Sequence, residues 1–178
     1  MKEYLEQHML MHETRESCFS GKTCLVYSRK IKQCILEYSP ESVLDYGCGK
    51  GSQYLEHKEH ESWGVSVPTL YDPCYKPYSS RPSGKFDAVI CTDVLEHIPK
   101  DDLVEILNDI YGYASKFVFF GVGTSKAKKI LPNGNNAHAT IEPLRWWKIL
   151  LEAHNRGIDT FLYATKSGSK SLEGGLLS

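Results

Sequence analysis

Apolar residues recur along this chain in blocks whose period switches between helical and extended. From Leu25 to Tyr38 the positions Tyr27, Ile31, Cys34, Ile35 and Tyr38 keep the three-and-four spacing that lines one helix face, and Pro40 stops the helix. Ser42 to Tyr46 is short and extended and runs into a glycine-rich turn. Phe86 to Thr92 and Lys116 to Val122 are continuous apolar runs, the pattern of strands buried on both faces, and Ile158 to Thr165 is a further strand. Leu103, Ile106, Leu107 and Ile110 form a helical stripe opened by Asp101 or Asp102; Trp147, Leu150 and Leu151 form another behind Pro143. Residues 2–14 and 52–60 carry weaker helical patterns, and Pro68 leaves at most one strand between Trp63 and Tyr71. Residues 73–85, with three prolines, and the polar stretch 123–140 are loops. Strands alternating with helices over short connections predict an α/β fold. Its mostly parallel sheet is flanked by helices and binds ligands at the carboxyl ends of its strands. One domain is expected over residues 1–165, with 1–40 as an N-terminal helical cap and the Ser/Gly-rich 166–178 as a flexible tail.

Composition narrows the class of partner. The net charge of −1 creates no global field toward nucleic acid or an anionic membrane, so either partner would need a local patch. Cys18, Cys24, Cys34, Cys48, Cys74 and Cys91 include no C-x-x-C pair, which argues against a zinc ribbon. Three of them sit in apolar or motif segments, the usage of a reducing compartment. The charged start Met1-Lys2-Glu3 lacks a signal-peptide core, and no apolar run is long enough to span a bilayer; a cytoplasmic location is expected. Phe19-Ser20-Gly21-Lys22-Thr23 is similar to the end of a phosphate-binding loop, but Glu16 stands where its first glycine belongs.

The chemistry concentrates at strand ends. Val43-Leu44-Asp45-Tyr46-Gly47-Cys48-Gly49-Lys50-Gly51 places two side-chain-free positions, Gly47 and Gly49, where a backbone can turn tightly against a ligand. Its Asp-x-Gly-x-Gly spacing differs from the dinucleotide G-x-G-x-x-G pattern. Asp45 at the turn would repel a pyrophosphate and suits a cationic amino-acid group, which favours S-adenosylmethionine over NAD. Further on, Asp72 ends Leu70-Tyr71-Asp72-Pro73, where a carboxylate can accept ribose hydroxyls or simply form a turn before Pro73.

Together with Phe86-Asp87-Ala88-Val89-Ile90-Cys91-Thr92-Asp93-Val94-Leu95-Glu96-His97-Ile98, these segments resemble, in order, the motifs of class I S-adenosylmethionine-dependent methyltransferases. The resemblance covers roughly residues 19–165 and implies a Rossmann-like sheet. It also implies a cofactor site in which Asp45, Gly47, Cys48 and Gly49 meet the methionine part, Asp72 holds the ribose, and Thr92 and Asp93 line the cleft. Only 13 residues separate Asp72 from Phe86, too few for the usual helix and strand, so one strand–helix unit is expected to be missing. The adenine edge then becomes a loop, with Tyr75 or Tyr78 as candidates to pack on the base.

Methyl transfer from a sulfonium needs positioning and removal of a proton from the acceptor, and His97 and His138 are the candidate bases. The site is read as metal-free. A divalent ion at Asp93, Glu96, His97 and His138 is kept as the alternative, on a resemblance to small-RNA 2′-O-methyltransferases in which Asp93 replaces a glutamate. Lys126, Lys128 and Lys129 in the long loop suit an acceptor carrying phosphate or carboxylate, and equally suit a solvated face. One of Trp146 and Trp147 is expected in the core. The preferred reading is methylation of an oxygen or nitrogen on a small acceptor. An RNA 2′-O-methyltransferase and a non-catalytic S-adenosylmethionine-binding subunit stand as alternatives, the first opposed by the lack of a basic arm.

Overall fold

The computed structural model describes residues 2–15, 17–165 and 171–177. The chain runs α1 (Lys2–Thr14), α2 (Cys24–Tyr38), β1 (Val43–Tyr46), α3 (Ser52–Leu55), α4 (Glu59–Trp63), β2 (Thr69–Tyr71), β3 (Phe86–Thr92), α5 (Leu103–Tyr113), β4 (Ala114–Gly123), α6 (Leu144–His154), β5 (Asp159–Thr165) and β6 (Leu172–Leu176). Six strands form one sheet in the order β2-β1-β3-β4-β5-β6. The first five are mutually parallel and β6 is antiparallel to β5. The chain leaves β1 for β2 on one side and returns to β3 on the other. That reversal opens a crevice at the carboxyl ends of these strands, the favoured ligand position in such sheets.

Alternation along the central strands supplies both cores. On β4, Val118, Phe120 and Val122 join Val89 and Cys91 of β3 under Leu107 and Ile110 of α5 and Trp147 and Leu151 of α6. Phe117 and Phe119, with Ala88 and Ile90, face Tyr27, Ile31 and Ile35 of α2 and Trp63 of α4. Period-2 alternation on strands covered on both faces explains why these segments look uniformly apolar in the sequence. Trp147 is the fully buried tryptophan of the pair, while Trp146 stays at the rim with Lys100 over its ring.

Two expectations change, the N-terminal cap and the tail. Residues 1–40 do not form one cap: α2 covers the sheet, and only α1 with the following turn lies over the strand ends. Between Trp63 and Tyr71 a single strand forms, as Pro68 implies: Trp63 closes a helix, and β2 is Thr69–Tyr71. The tail is structured where it is described. Leu172–Leu176 pairs with β5, and Leu177 N–H donates to Thr160 O at 2.8 Å. The physical reason is that β5 would otherwise expose a row of unpaired backbone groups. Residues 166–170 and 178, also assigned to that tail, lie outside the described residues.

Candidate active site

The turn after β1 is built by backbone constraint. Gly47 (φ +82°) and Gly49 (φ +58°) adopt left-handed conformations, and a Cβ on Gly49 would stand 2.2 Å from the Phe19 carbonyl oxygen. The N–H groups of Gly47 and Cys48 both donate to Tyr71 O, at 2.7 and 3.1 Å, which ties the turn to the end of β2. Asp72 adds a second tie: one carboxylate oxygen accepts Gly49 N–H and the other Cys74 N–H, both at 2.8 Å. The turn-forming role foreseen for Asp72 is therefore present, and burial raises its pKa. Asp45 is 1% exposed and accepts Gln53 Nε2–H at 2.8 Å. Without a cationic partner in that hydrogen bond, burial pushes Asp45 up to about 6.

A cavity of about 540 Å³ opens at these strand ends, lined by Asp45, Gly47, Gly49, Asp72, Thr92 and Asp93. The sequence-derived set thus converges on one chamber, with two exceptions. Cys48 is buried, its Sγ on the Gly49 carbonyl, and it is not among the lining residues. His138 belongs to a neighbouring cavity of about 480 Å³. Tyr75 and Tyr78 do not line the chamber: Tyr75 stacks on His12, and Tyr78 packs beside Gly51. The 73–85 loop contributes Pro73, Cys74 and Arg81 to the wall instead.

Beyond β3 the chain turns sharply because Asp93 takes φ 60°, a conformation that aspartate tolerates better than most side chains. The short turn Leu95–His97 follows and separates Glu96 from His97. Glu96 is fully buried beneath the site, where it accepts Gly123 N–H, and its carbonyl accepts Thr140 N–H at 2.9 Å. Burial first, and the Asp93 carboxylate second, hold its pKa well above the usual range. Glu96 is a scaffold residue here, not a member of the chamber wall.

His97 does line the chamber. Its Nδ1 lies 2.9 Å from Ala137 O, and a carbonyl only accepts, so Nδ1 carries the hydrogen. The same logic fixes His138, whose Nδ1 lies 2.6 Å from Ser125 O. Nε2 is left as the lone-pair nitrogen of both rings, which meet edge to face with centroids 4.8 Å apart. Burial, helped by His8 and His138 and opposed by Asp93, brings His97 down to about 3 and keeps it neutral.

The sequence reading missed the roof of the chamber. Tyr4, His8 and His12 of α1 line it together with Phe19, Gln53 and Lys129. His8 Nδ1 donates to Tyr4 O at 3.0 Å, so its Nε2, 3.3 Å from His97 Nδ1, is an acceptor for that N–H. Burial lowers His12 to about 4. The signal was available: Tyr4, His8 and His12 recur every four residues, one stripe of a helix.

A family model described as a methyltransferase domain matches residues 22–158, from the turn before α2 to the threshold of β5. No curated protein and no solved structure matches the chain. Among the described residues no helix is long and apolar enough to cross a membrane. The matched span contains the glycine turn, Asp72 and the Thr92–His97 segment, on a mostly parallel sheet with its crevice at the β1/β3 reversal. The chain belongs to the class I methyltransferase family.

Proposed function

We infer that the protein transfers a methyl group from S-adenosylmethionine to an oxygen or nitrogen of a small acceptor bearing an anionic group. The observation that carries this reading is the convergence of Asp45, Gly47, Gly49, Asp72, Thr92 and Asp93 on one chamber. S-adenosylmethionine supplies an activated methyl carbon, whose bond to sulfur breaks with the electron pair left on sulfur to give S-adenosylhomocysteine. The chain's own residues bind, orient and take a proton. Asp45 offers a buried carboxylate to the donor's ammonium group, and the left-handed Gly47 and Gly49 let the donor reach the backbone. Asp72 has lone pairs beyond its backbone bonds to Gly49 and Cys74 that suit ribose hydroxyls. Lys129 lines the chamber with its ammonium over Phe19, 4.6 Å from the ring centroid, and suits an anionic acceptor group; Lys126 and Lys128 are exposed. The proton leaving an acceptor O–H or N–H has the Nε2 atoms of His97 and His138 as receivers.

Thermal unfolding in the presence of S-adenosylhomocysteine and of NAD tests the donor assignment. A ligand at about 100 times its Kd adds roughly 2.7 kcal/mol, a clear rise in Tm. A rise with S-adenosylhomocysteine alone is expected; no rise with it would overturn the reading.

A further inference from the structure

We propose that α1 supplies the anion-reading part of the acceptor site: His12, together with Lys129 of the 124–143 loop, binds a phosphate or carboxylate group of the acceptor at the chamber roof. Helix α1 (Lys2–Thr14) lies before the span that the family model matches, residues 22–158, whereas Asp45, Gly47, Gly49, Asp72, Thr92 and Asp93 lie within it. A shared donor is bound by the shared part of a fold, and selection among acceptors falls to what is grafted onto it. Tyr4, His8 and His12 reach the same chamber from that added helix. The word acceptor rests on the methyl-transfer reading; the oxyanion subsite does not.

His12 awaits a partner. A helical histidine can satisfy Nδ1 on the carbonyl four residues back; His8 does so on Tyr4 O at 3.0 Å, and His154 on Leu150 O at 2.8 Å. His12 does not. Its Nδ1 is buried with no hydrogen-bond partner, and the residue is only 7% exposed. The ring is held instead by aromatic neighbours, Phe19 at 5.0 Å between centroids and Tyr75 stacked at 5.2 Å. An unmatched buried polar atom is costly, and an oxyanion that accepts an Nδ1–H removes the cost.

The distribution of charge gives the sign of the ligand. Asp45, Asp72, Asp93, Glu105 and Asp109 line the chamber from the strand ends and α5, while among the described residues α1 and the long loop contribute no carboxylate to it. Of the lysine and arginine side chains described in the wall, Arg81 is paired with Asp109, and Lys129 has no carboxylate partner among the described residues. The Lys129 ammonium stands 4.6 Å from the centroid of Phe19, one of the rings against His12. Lys50 Nζ lies 6.0 Å from the centroid of Tyr75, the other. Burial first, then Lys50, His8 and Lys129, lower His12 to about 4, so a neutral imidazole sits beside two ammonium groups.

An oxyanion answers both features at once. It accepts the Nδ1–H of His12 and pairs with the Lys129 ammonium, a compact charge that suits phosphate and carboxylate alike. Two turns back along α1, about 12 Å by helix rise, the Oη of Tyr4 is likewise buried without a partner, and Tyr4 lines both cavities. The stripe therefore suits an acceptor with its anion held at His12 and a hydroxyl or carbonyl toward Tyr4.

NMR of the histidine ring nitrogens, with and without S-adenosylhomocysteine, tests this by titration with methyl phosphate and, separately, with acetate. A saturable shift of the His12 signals is expected, and the probe with the lower Kd tells phosphate from carboxylate as the acceptor's group. The bound anion should raise the pKa of His12 above about 4, because it offsets Lys50 and Lys129. A role in packing alone would not move it. His12→Phe keeps a ring against Phe19 and Tyr75, removes the polar edge, and should weaken the tighter probe about ten-fold or more. Lys129→Ala should weaken it by a few-fold. Equal Kd values in wild type and both variants would overturn the site, as would His12 signals that neither probe moves. If S-adenosylhomocysteine alone shifts His12 and excludes both probes, the roof holds the donor's own carboxylate; the proposal then falls and the donor reading stands. Probe binding at His12 in a protein whose Tm does not rise with S-adenosylhomocysteine removes the donor reading and keeps the oxyanion subsite.

Discussion

Two of the loops that reach this site hold their shape by different balances of backbone and side-chain bonds. The turn after β1 is fixed mostly by backbone, with left-handed glycines, N–H groups of residues 47 and 48 on Tyr71 O and Lys50 N–H on Phe19 O at 2.9 Å, and the Asp72 carboxylate on Gly49 N–H adds one side-chain tie. The 124–143 loop has backbone bonds at its tip, such as Leu131 N–H to Asn135 O at 2.8 Å, and adds more side chains reaching main-chain groups. Asn136 accepts Ala127 N–H and His138 N–H and donates to Ala127 O, while Thr140 donates to Ile98 O. Gly49, packed against carbonyl oxygen, should therefore be irreplaceable. Gly49→Ala adds a Cβ at 2.2 Å from Phe19 O in a left-handed backbone, where neither neighbour is a flexible side chain. A loss on the order of 3 kcal/mol or more is expected by urea denaturation. A loss under about 1 kcal/mol would show that the turn yields, and the comparison would fail.

The long loop should give way more locally. Asn136→Ala removes three hydrogen bonds and is expected to cost about 2 kcal/mol, less than the glycine substitution. The informative readout is hydrogen exchange. Amides of Ala127 and His138, both bonded to Asn136 Oδ1, should lose protection while Gly47 and Cys48 keep theirs. Equal loss in both places would mean that the two loops form one cooperative unit.

This contrast also explains what could be read in the sequence. Gly47, Gly49 and Asp45 are legible because local backbone sterics dictate a residue type at a fixed offset from a strand. Asp72 is legible as a turn for the same reason. The pairing of His97 with Ala137 O spans 40 residues, and Glu96 with Gly123 spans 27, so nothing local marks either contact. Glu96 and His97 are adjacent in sequence yet one supports β4 and the other faces the chamber, a division made by the short Leu95–His97 turn. Strand β6 was missed because Gly174 and Gly175 mimic a linker, although Gly174 packs its bare Cα against Leu162 O. Tyr4, His8 and His12 went unnoticed because a polar stripe at helical spacing has the same appearance whether it faces water or a cavity.

The buried carboxylate on the glycine side gives the comparison a pH test. Burial pushes Asp45 up to about 6 without ligand, and on the proposed donor reading a cationic group beside it would pull its pKa back down. The sign follows. The free protein holds a proton between its unfolded value and about 6, so this group's contribution favours folding at acid pH and is lost as pH rises through about 6. Donor binding runs the other way, because the proton must leave first. From about pH 7 to about pH 5 the Kd for S-adenosylmethionine is expected to rise about ten-fold by calorimetry. Asp45→Asn should flatten that dependence, and a flat wild-type profile would detach Asp45 from the donor's charge.

The smallest effect expected separates the three lysines of the long loop. Lys129 lines the chamber beside Phe19, while Lys126 and Lys128 are exposed. A half-buried ammonium at a cavity wall interacts with an anionic ligand group through less solvent than an exposed one. Lys129→Ala should therefore weaken chamber binding of an anionic probe, a small phosphate monoester, by a few-fold, roughly 0.5–1 kcal/mol. Lys126→Ala and Lys128→Ala should leave that Kd within error, and stability should stay within about 0.5 kcal/mol in both. Equal weakening by all three would mean that the loop acts as a diffuse positive field. In that case the long loop would contribute charge without geometry, the reverse of the glycine turn across the chamber.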